Sequence, residues 1–121
     1  MPKGVIIVYS GPADASREAE YNRWYDEVHL PEVCSIPGIV SARRFSLSAT
    51  QRTPPDALTP RYAAIYELDT DDIQNVADEI GDRLASGAMH MSDAFVSSER
   101  YPATYFELQT DCAARNVERN T

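Results

Sequence analysis

An α+β fold with the element order βαββαβ follows from three features of this 121-residue sequence. Two stretches carry helical spacing, four carry the β-branched or alternating pattern of strands, and no repeat or linker divides the chain. The order is the split-βαβ, ferredoxin-like arrangement, in which a four-stranded antiparallel sheet bears two helices on one face. We place one domain over 1–113 and a polar, flexible tail over 114–121.

Gly4 to Ser10 is a β-branched apolar run with Tyr9 near its end, and Gly11-Pro12 stops it. Asp14 caps the first helix, whose opening turn carries Glu18 in favour of the helix dipole. The helix runs through Trp24-Tyr25 towards His29. Pro31 biases Leu30 out of the α region, so the helix should stop or kink there, with a short turn over Pro31 to Ile36. Tyr21, Tyr25 and Val28, with Ala15 and Ala19, are the residues available to pack this helix on a sheet.

Pro37-Gly38 punctuates the chain, and Ile39 to Leu47 reads as the second strand. Residues 49–60 carry Pro54, Pro55 and Pro60 without periodicity, a long hairpin loop. Arg61 to Leu68 is the third strand. Asp69 to Asp72 offers caps for a helix from about Ile73 to Leu84, with an apolar stripe of Ile73, Val76, Ala77, Ile80 and Leu84. Ser86-Gly87 ends it. Met89-His90-Met91 is less regular, and Thr104 to Leu108 is the last strand.

The strands predict an assembly as well. The third puts Tyr62, Ala64, Tyr66 and Leu68 on one face and Ala63 and Ile65 on the other, and the first is apolar on both. Helices cover one face only. A second copy of the sheet would cover the other, so we expect a homodimer.

Composition narrows the function. The net charge is −8, and Arg43-Arg44 is the nearest thing to a basic cluster, so nucleic acid and anionic membranes are poor partners. No apolar run approaches the ~18 residues of a membrane span. The apolar run after Met1-Pro2-Lys3 is too short for a signal peptide. Cys34 and Cys112 read as free thiols of a reducing compartment, which points to the cytoplasm. No CxxC, HxH or HExxH pairing exists, and there is no dinucleotide, phosphate-loop or nucleophile-elbow motif, so we expect no metal and no cofactor.

The chemistry concentrates on the first helix. Glu18, Asn22, Tyr25 and His29 follow spacings of 4, 3 and 4 and share a face. His29 titrates near neutral pH and suits general acid–base work, or it satisfies the last carbonyls of the helix. Asp26 and Glu32 stand close enough in sequence to orient the imidazole or raise its pKa. Tyr25 can donate to a substrate oxygen or sit in the core. Mid-helix Asn22 needs a hydrogen-bonding role. Trp24 serves as core or as a ligand platform. Arg44 shares a strand face with Val40 and Ala42, to meet a carboxylate or enolate oxygen or to pair with an internal acid. Tyr9, Tyr62 and Tyr66 could line an aromatic pocket, with Met91 of the Met89-His90-Met91 stretch in its lid.

The pattern N-x-W-Y-x-x-x-H-L-P-x-x-x-x-x-P-G from Asn22 to Gly38, followed by Val40 to Phe45, resembles the signature of EthD-like proteins of the dimeric α/β-barrel superfamily. The likeness is dense over Tyr21 to Phe45 and elsewhere rests on element order. It implies a ferredoxin-like protomer, a dimeric barrel, and a cleft between helices and sheet. Heme-degrading relatives draw asparagine, tryptophan and histidine from separate elements, whereas Asn22, Trp24 and His29 share one segment here. The expected function is a cofactor-independent lyase, isomerase or cyclase using acid–base chemistry on a small oxygenated, partly aromatic or alicyclic metabolite. His29, Tyr25 and Asn22 would be catalytic, and Trp24, Arg44, Tyr66, Tyr9 and Met91 substrate-binding. The alternatives are a cofactor-free monooxygenase and a non-catalytic binding protein for a hydrophobic metabolite.

Overall fold

The computed structural model describes residues 3–114; the predicted tail, but for Ala114, lies outside the described residues. An antiparallel sheet is built from β1 (Lys3–Pro12), β2 (Ile39–Ser46), β3 (Tyr62–Asp69), β4 (Phe95–Ser97) and β5 (Thr104–Glu107). Its order is β2-β3-β1-β4, with β5 also on β1. The fourth position is shared: β5 pairs with the Gly4–Ile7 end of β1 and β4 with its Ser10–Pro12 end. The expected last strand, Thr104 to Leu108, is present as β5, and β4 is an additional short strand beside it. Phe95–Ser97 escaped the sequence reading because three residues are too few to show alternation.

The first helical segment departs most from expectation. A 3₁₀ turn (Ala15–Arg17), capped by Asp14 accepting from the Ser16 N–H, leads into α1 (Glu18–Trp24). A π-helical turn (Tyr25–His29) follows, then α2 (Leu30–Cys34). The chain does not stop before Pro31: Leu30 is α-helical, at φ −57° and ψ −49°. Proline lacks an N–H and its ring crowds the carbonyl four residues back, which a regular helix cannot absorb. The widened turn just before Pro31 takes up that distortion, with the Leu30 N–H bonded five residues back to the Tyr25 carbonyl. Tyr21 and Tyr25 pack inwards as expected and Val28 partly, but Ala15 and Ala19 are exposed.

The second helix, α3 (Ile73–Ser86), is capped by Asp72 and ended by Gly87 in the left-handed region. Together the helices cover one face of the sheet. Ile6, Ile39, Ala64, Tyr66 and Leu68 from the sheet meet Tyr21, Tyr25, Val33 and Val76 from the helices in one buried core. A β-bulge between Ile39 and Ser41 shifts the register of β2. It puts Ile39 in the core and leaves Val40 63% exposed, so Val40 does not share the face of Ala42 and Arg44 as simple alternation predicts.

The opposite face carries Val5, Ile7, Tyr9, Phe45, Ala63, Ile65 and Phe106 by strand register. Tyr101, from the link between β4 and β5, lies against Tyr9 at 5.7 Å. Phe45 and Phe106 remain exposed. No helix among the described residues is long and apolar enough to cross a membrane.

Candidate functional site

A cavity of about 200 Å³ opens between the sheet, α2, α3 and the segment after α3. Ile6, Val8 and Tyr66 form its floor, and Val33, Ile80 and Leu84 one wall. Met89, Met91, Phe95 and Tyr105 close the other side, and His29 and Ser97 bring polar atoms. A larger depression of about 400 Å³ lies over the ends of β1, β3 and β5 and is lined by no residue of the helical stripe. We take the smaller cavity as the site because it alone contains the titratable group the sequence singles out. Among the described residues no cluster of three His, Cys, Asp or Glu could hold a metal ion.

His29 is 8% exposed. It is not at a helix end, because the π turn and α2 carry the helix on to Cys34, and so it does not satisfy terminal carbonyls. The i→i+5 geometry of the π turn sets residues five apart one above the other. Trp24 accordingly stacks on His29, with ring centres 4.8 Å apart and planes 20° apart. Tyr25 meets the imidazole edge-on at 5.0 Å. The Nδ1 of His29 is sealed from solvent and has no hydrogen-bond partner. Burial pushes the imidazole pKa down to about 4, against a smaller upward pull from Glu32. The sequence-based expectation of a raised pKa is thus overturned: desolvation outweighs the neighbouring charge.

Glu32 is occupied elsewhere. Its carboxylate accepts the His90 backbone N–H at 2.8 Å and pairs with the His90 ring. The Trp24 indole N–H donates to the His90 carbonyl at 2.8 Å. Trp24 therefore joins the imidazole to the Met89-His90-Met91 segment. Met89 is buried, and Met91 is 45% exposed at the rim of the cavity.

The remaining stripe serves a second cluster. Arg44 donates to Asp26 at 2.8 Å and to Asn22 at 2.9 Å, and its guanidinium sits 4.4 Å from the Tyr25 ring centre. Asn22 also donates to the Tyr62 hydroxyl at 3.2 Å, and that hydroxyl donates to Glu18. Arg44 thus pairs with an acid, Asp26, whose own side chain is exposed at the surface. Neither Asn22 nor Arg44 lines the cavity. Tyr25 is fully buried, and its hydroxyl lies 3.4 Å from that of Tyr66, which does line it. Burial holds both phenols protonated. Tyr9 is on the other face of the sheet and takes no part.

The structure thus brings His29, Tyr66 and Met91 to the cavity, and Trp24 behind His29. Phe95 and Tyr105 were missed, since strand pairing places them and the sequence does not show it. Ile80 and Leu84 belong to the apolar stripe of α3, and the 46% exposure of Leu84 marks it as rim.

No protein-family profile matches this sequence, and no curated relative does. Solved structures match its fold. HapK from Hahella chejuensis superposes with a TM-score of 0.61 at 17% identity, over 93% of this chain and 98% of that one. An EthD-family protein from Bacillus halodurans C-125 gives 0.55 at 17% identity, over 92% and 100%. A candidate monooxygenase from Shewanella loihica PV-4 gives 0.55 at 14%, over 92% and 99%. The fold and site define an α+β, ferredoxin-like protein with a small, mostly apolar cavity against its helical face. Its fold is the one shared by these three structures, the EthD-family protein among them.

Proposed function

We propose that the chain is a cofactor-independent enzyme of the lyase, isomerase or cyclase type. It acts on a small oxygenated, partly aromatic or alicyclic molecule held in the cavity, and His29 drives proton transfer next to a carbonyl. One observation carries this reading: a buried imidazole without a hydrogen-bond partner stands in the wall of a mostly apolar cavity. A histidine kept only for packing is more cheaply replaced by an apolar side chain. Tyr66 and Tyr105 are the hydroxyls available to assist at the reacting oxygen, in place of Asn22 and Arg44. The protein works as a homodimer, with the open sheet faces of two chains together, and the exposed thiols of Cys34 and Cys112 suit the cytoplasm.

The test does not require the natural substrate. Small cyclic ketones such as 2-tetralone exchange their α-protons in D₂O, and NMR follows the exchange. The protein should accelerate it, and His29→Leu should remove roughly 10²–10³-fold of the acceleration while the fold is kept. Equal exchange with and without His29 ends the proposal. The likeness to a candidate monooxygenase favours a second reading, cofactor-free oxygenation of a carbanion formed in the same cavity. Oxygen uptake coupled to exchange would select it.

A further inference from the structure

The sealed face of His29 decides which way its imidazole can work. Nδ1 has neither solvent nor a protein partner. A neutral imidazole carries one proton, on one nitrogen or the other. On Nδ1 that proton would be a buried donor with no acceptor, an arrangement that folded proteins rarely keep. On Nε2 it leaves only an unfilled lone pair at the sealed position, and Nε2 is the nitrogen still available to a ligand. The doubly protonated form is worse on both counts. It adds the orphan Nδ1–H and a charge among Met89, Phe95 and Val33.

The walls agree. Among the described residues no lysine, arginine, aspartate or glutamate lines the cavity. Arg44, on the sheet, and Arg83, on α3, are engaged with Asp26 and Glu79. Nothing there balances an anion, and the chain as a whole carries a charge of −8.

We propose that His29 works as a neutral Nε2–H donor, and that the cavity takes an uncharged ligand of about one substituted ring by hydrogen-bonding its carbonyl oxygen. The proposal deepens the enzymatic reading and rests on the same cavity: the Nε2–H of His29 drives the proton transfer by polarising the carbonyl, which acidifies the α-carbon so that water takes up its proton. The low pKa of His29 supports it, since the ring stays uncharged at neutral pH. The size follows from the volume, because an apolar cavity of about 150 Å³ already admits benzene.

Three matched probes test it at pH 7: acetophenone, ethylbenzene and benzoate. Calorimetry and the fluorescence of Trp24, the chain's one tryptophan, report binding. Acetophenone should bind roughly 3- to 10-fold tighter than ethylbenzene, the worth of one hydrogen bond. Benzoate should bind at least about 10-fold more weakly than acetophenone. In His29→Leu the first two should become equal, and His29→Gln, which keeps a donor, should retain part of the preference. Nitrogen-15 NMR of the imidazole should place the proton on Nε2. A proton on Nδ1, benzoate binding as tightly as acetophenone, or no binding by any probe overturns the proposal. Correct tautomer and selectivity without α-proton exchange would sink the enzymatic reading alone.

Discussion

At the scale of single residues, His29 connects stability with pH. The unfolded chain takes up this proton near 6.5, whereas the folded one holds it off until about 4. Between those values unfolding binds a proton, so acid favours the unfolded state. The contribution of His29 is complete above about pH 6.5 and is lost as pH falls to about 4, on the order of 3 kcal/mol in all. His29→Gln should lack this slope. Urea unfolding of both proteins at steps between pH 7 and 4 measures the difference. A difference that stays constant across the range would mean the imidazole titrates normally in the fold. Trp24 stacks on the same ring, so its fluorescence offers an independent view of that proton.

At the scale of elements, Gly38 shows how tightly the helices are joined to the sheet. Its φ is +99°, which side chains rarely adopt, and a Cβ there would come within 2.8 Å of Val76 Cγ2. Gly38→Ala should cost about 1–3 kcal/mol from backbone strain alone, read as a lower denaturation midpoint with an unchanged slope. A neutral substitution would mean that the turn before β2 can relax. Pro37-Gly38 is also where sequence reading worked well, because a turn residue announces its conformation locally. The stripes of α3 and the alternation of β3 were legible for the same reason: period 2 and period 3.6 are properties of a single segment. What escaped was relational. The π turn arises because Pro31 is absorbed rather than avoided, and no local rule chooses between stopping and bulging. The bulge at Ile39/Ser41 moved Val40 to the other face, and Phe95 and Tyr105 reach the cavity through pairing with β1. The sequence named His29, yet it misjudged the pKa shift, because burial depends on the elements packed around a side chain and not on its neighbours in the chain.

At the scale of the whole molecule, the two faces of the sheet are covered unequally. One face lies under α1, α2 and α3. The other presents Val5, Ile7, Ile65, Phe45 and Phe106 with no helix of the described residues over it, and Phe106 is 53% exposed. Water contact with that many adjacent apolar side chains is unfavourable, and a copy of the same face offers matching shape with two-fold symmetry. Sedimentation at micromolar concentration should therefore give about twice the 13.5 kDa chain mass. Phe106→Asp locates the contact on this face. In a monomer the position is half in water, so the change costs the isolated fold little. In a dimer it buries an unpaired carboxylate in each copy, and the dissociation constant should rise by roughly 10²-fold or more. The expected result is a folded monomer with an unchanged far-ultraviolet spectrum. A wild-type protein that sediments as a monomer, or a Phe106→Asp variant that remains a dimer of the same affinity, would show that this face is not where two chains meet.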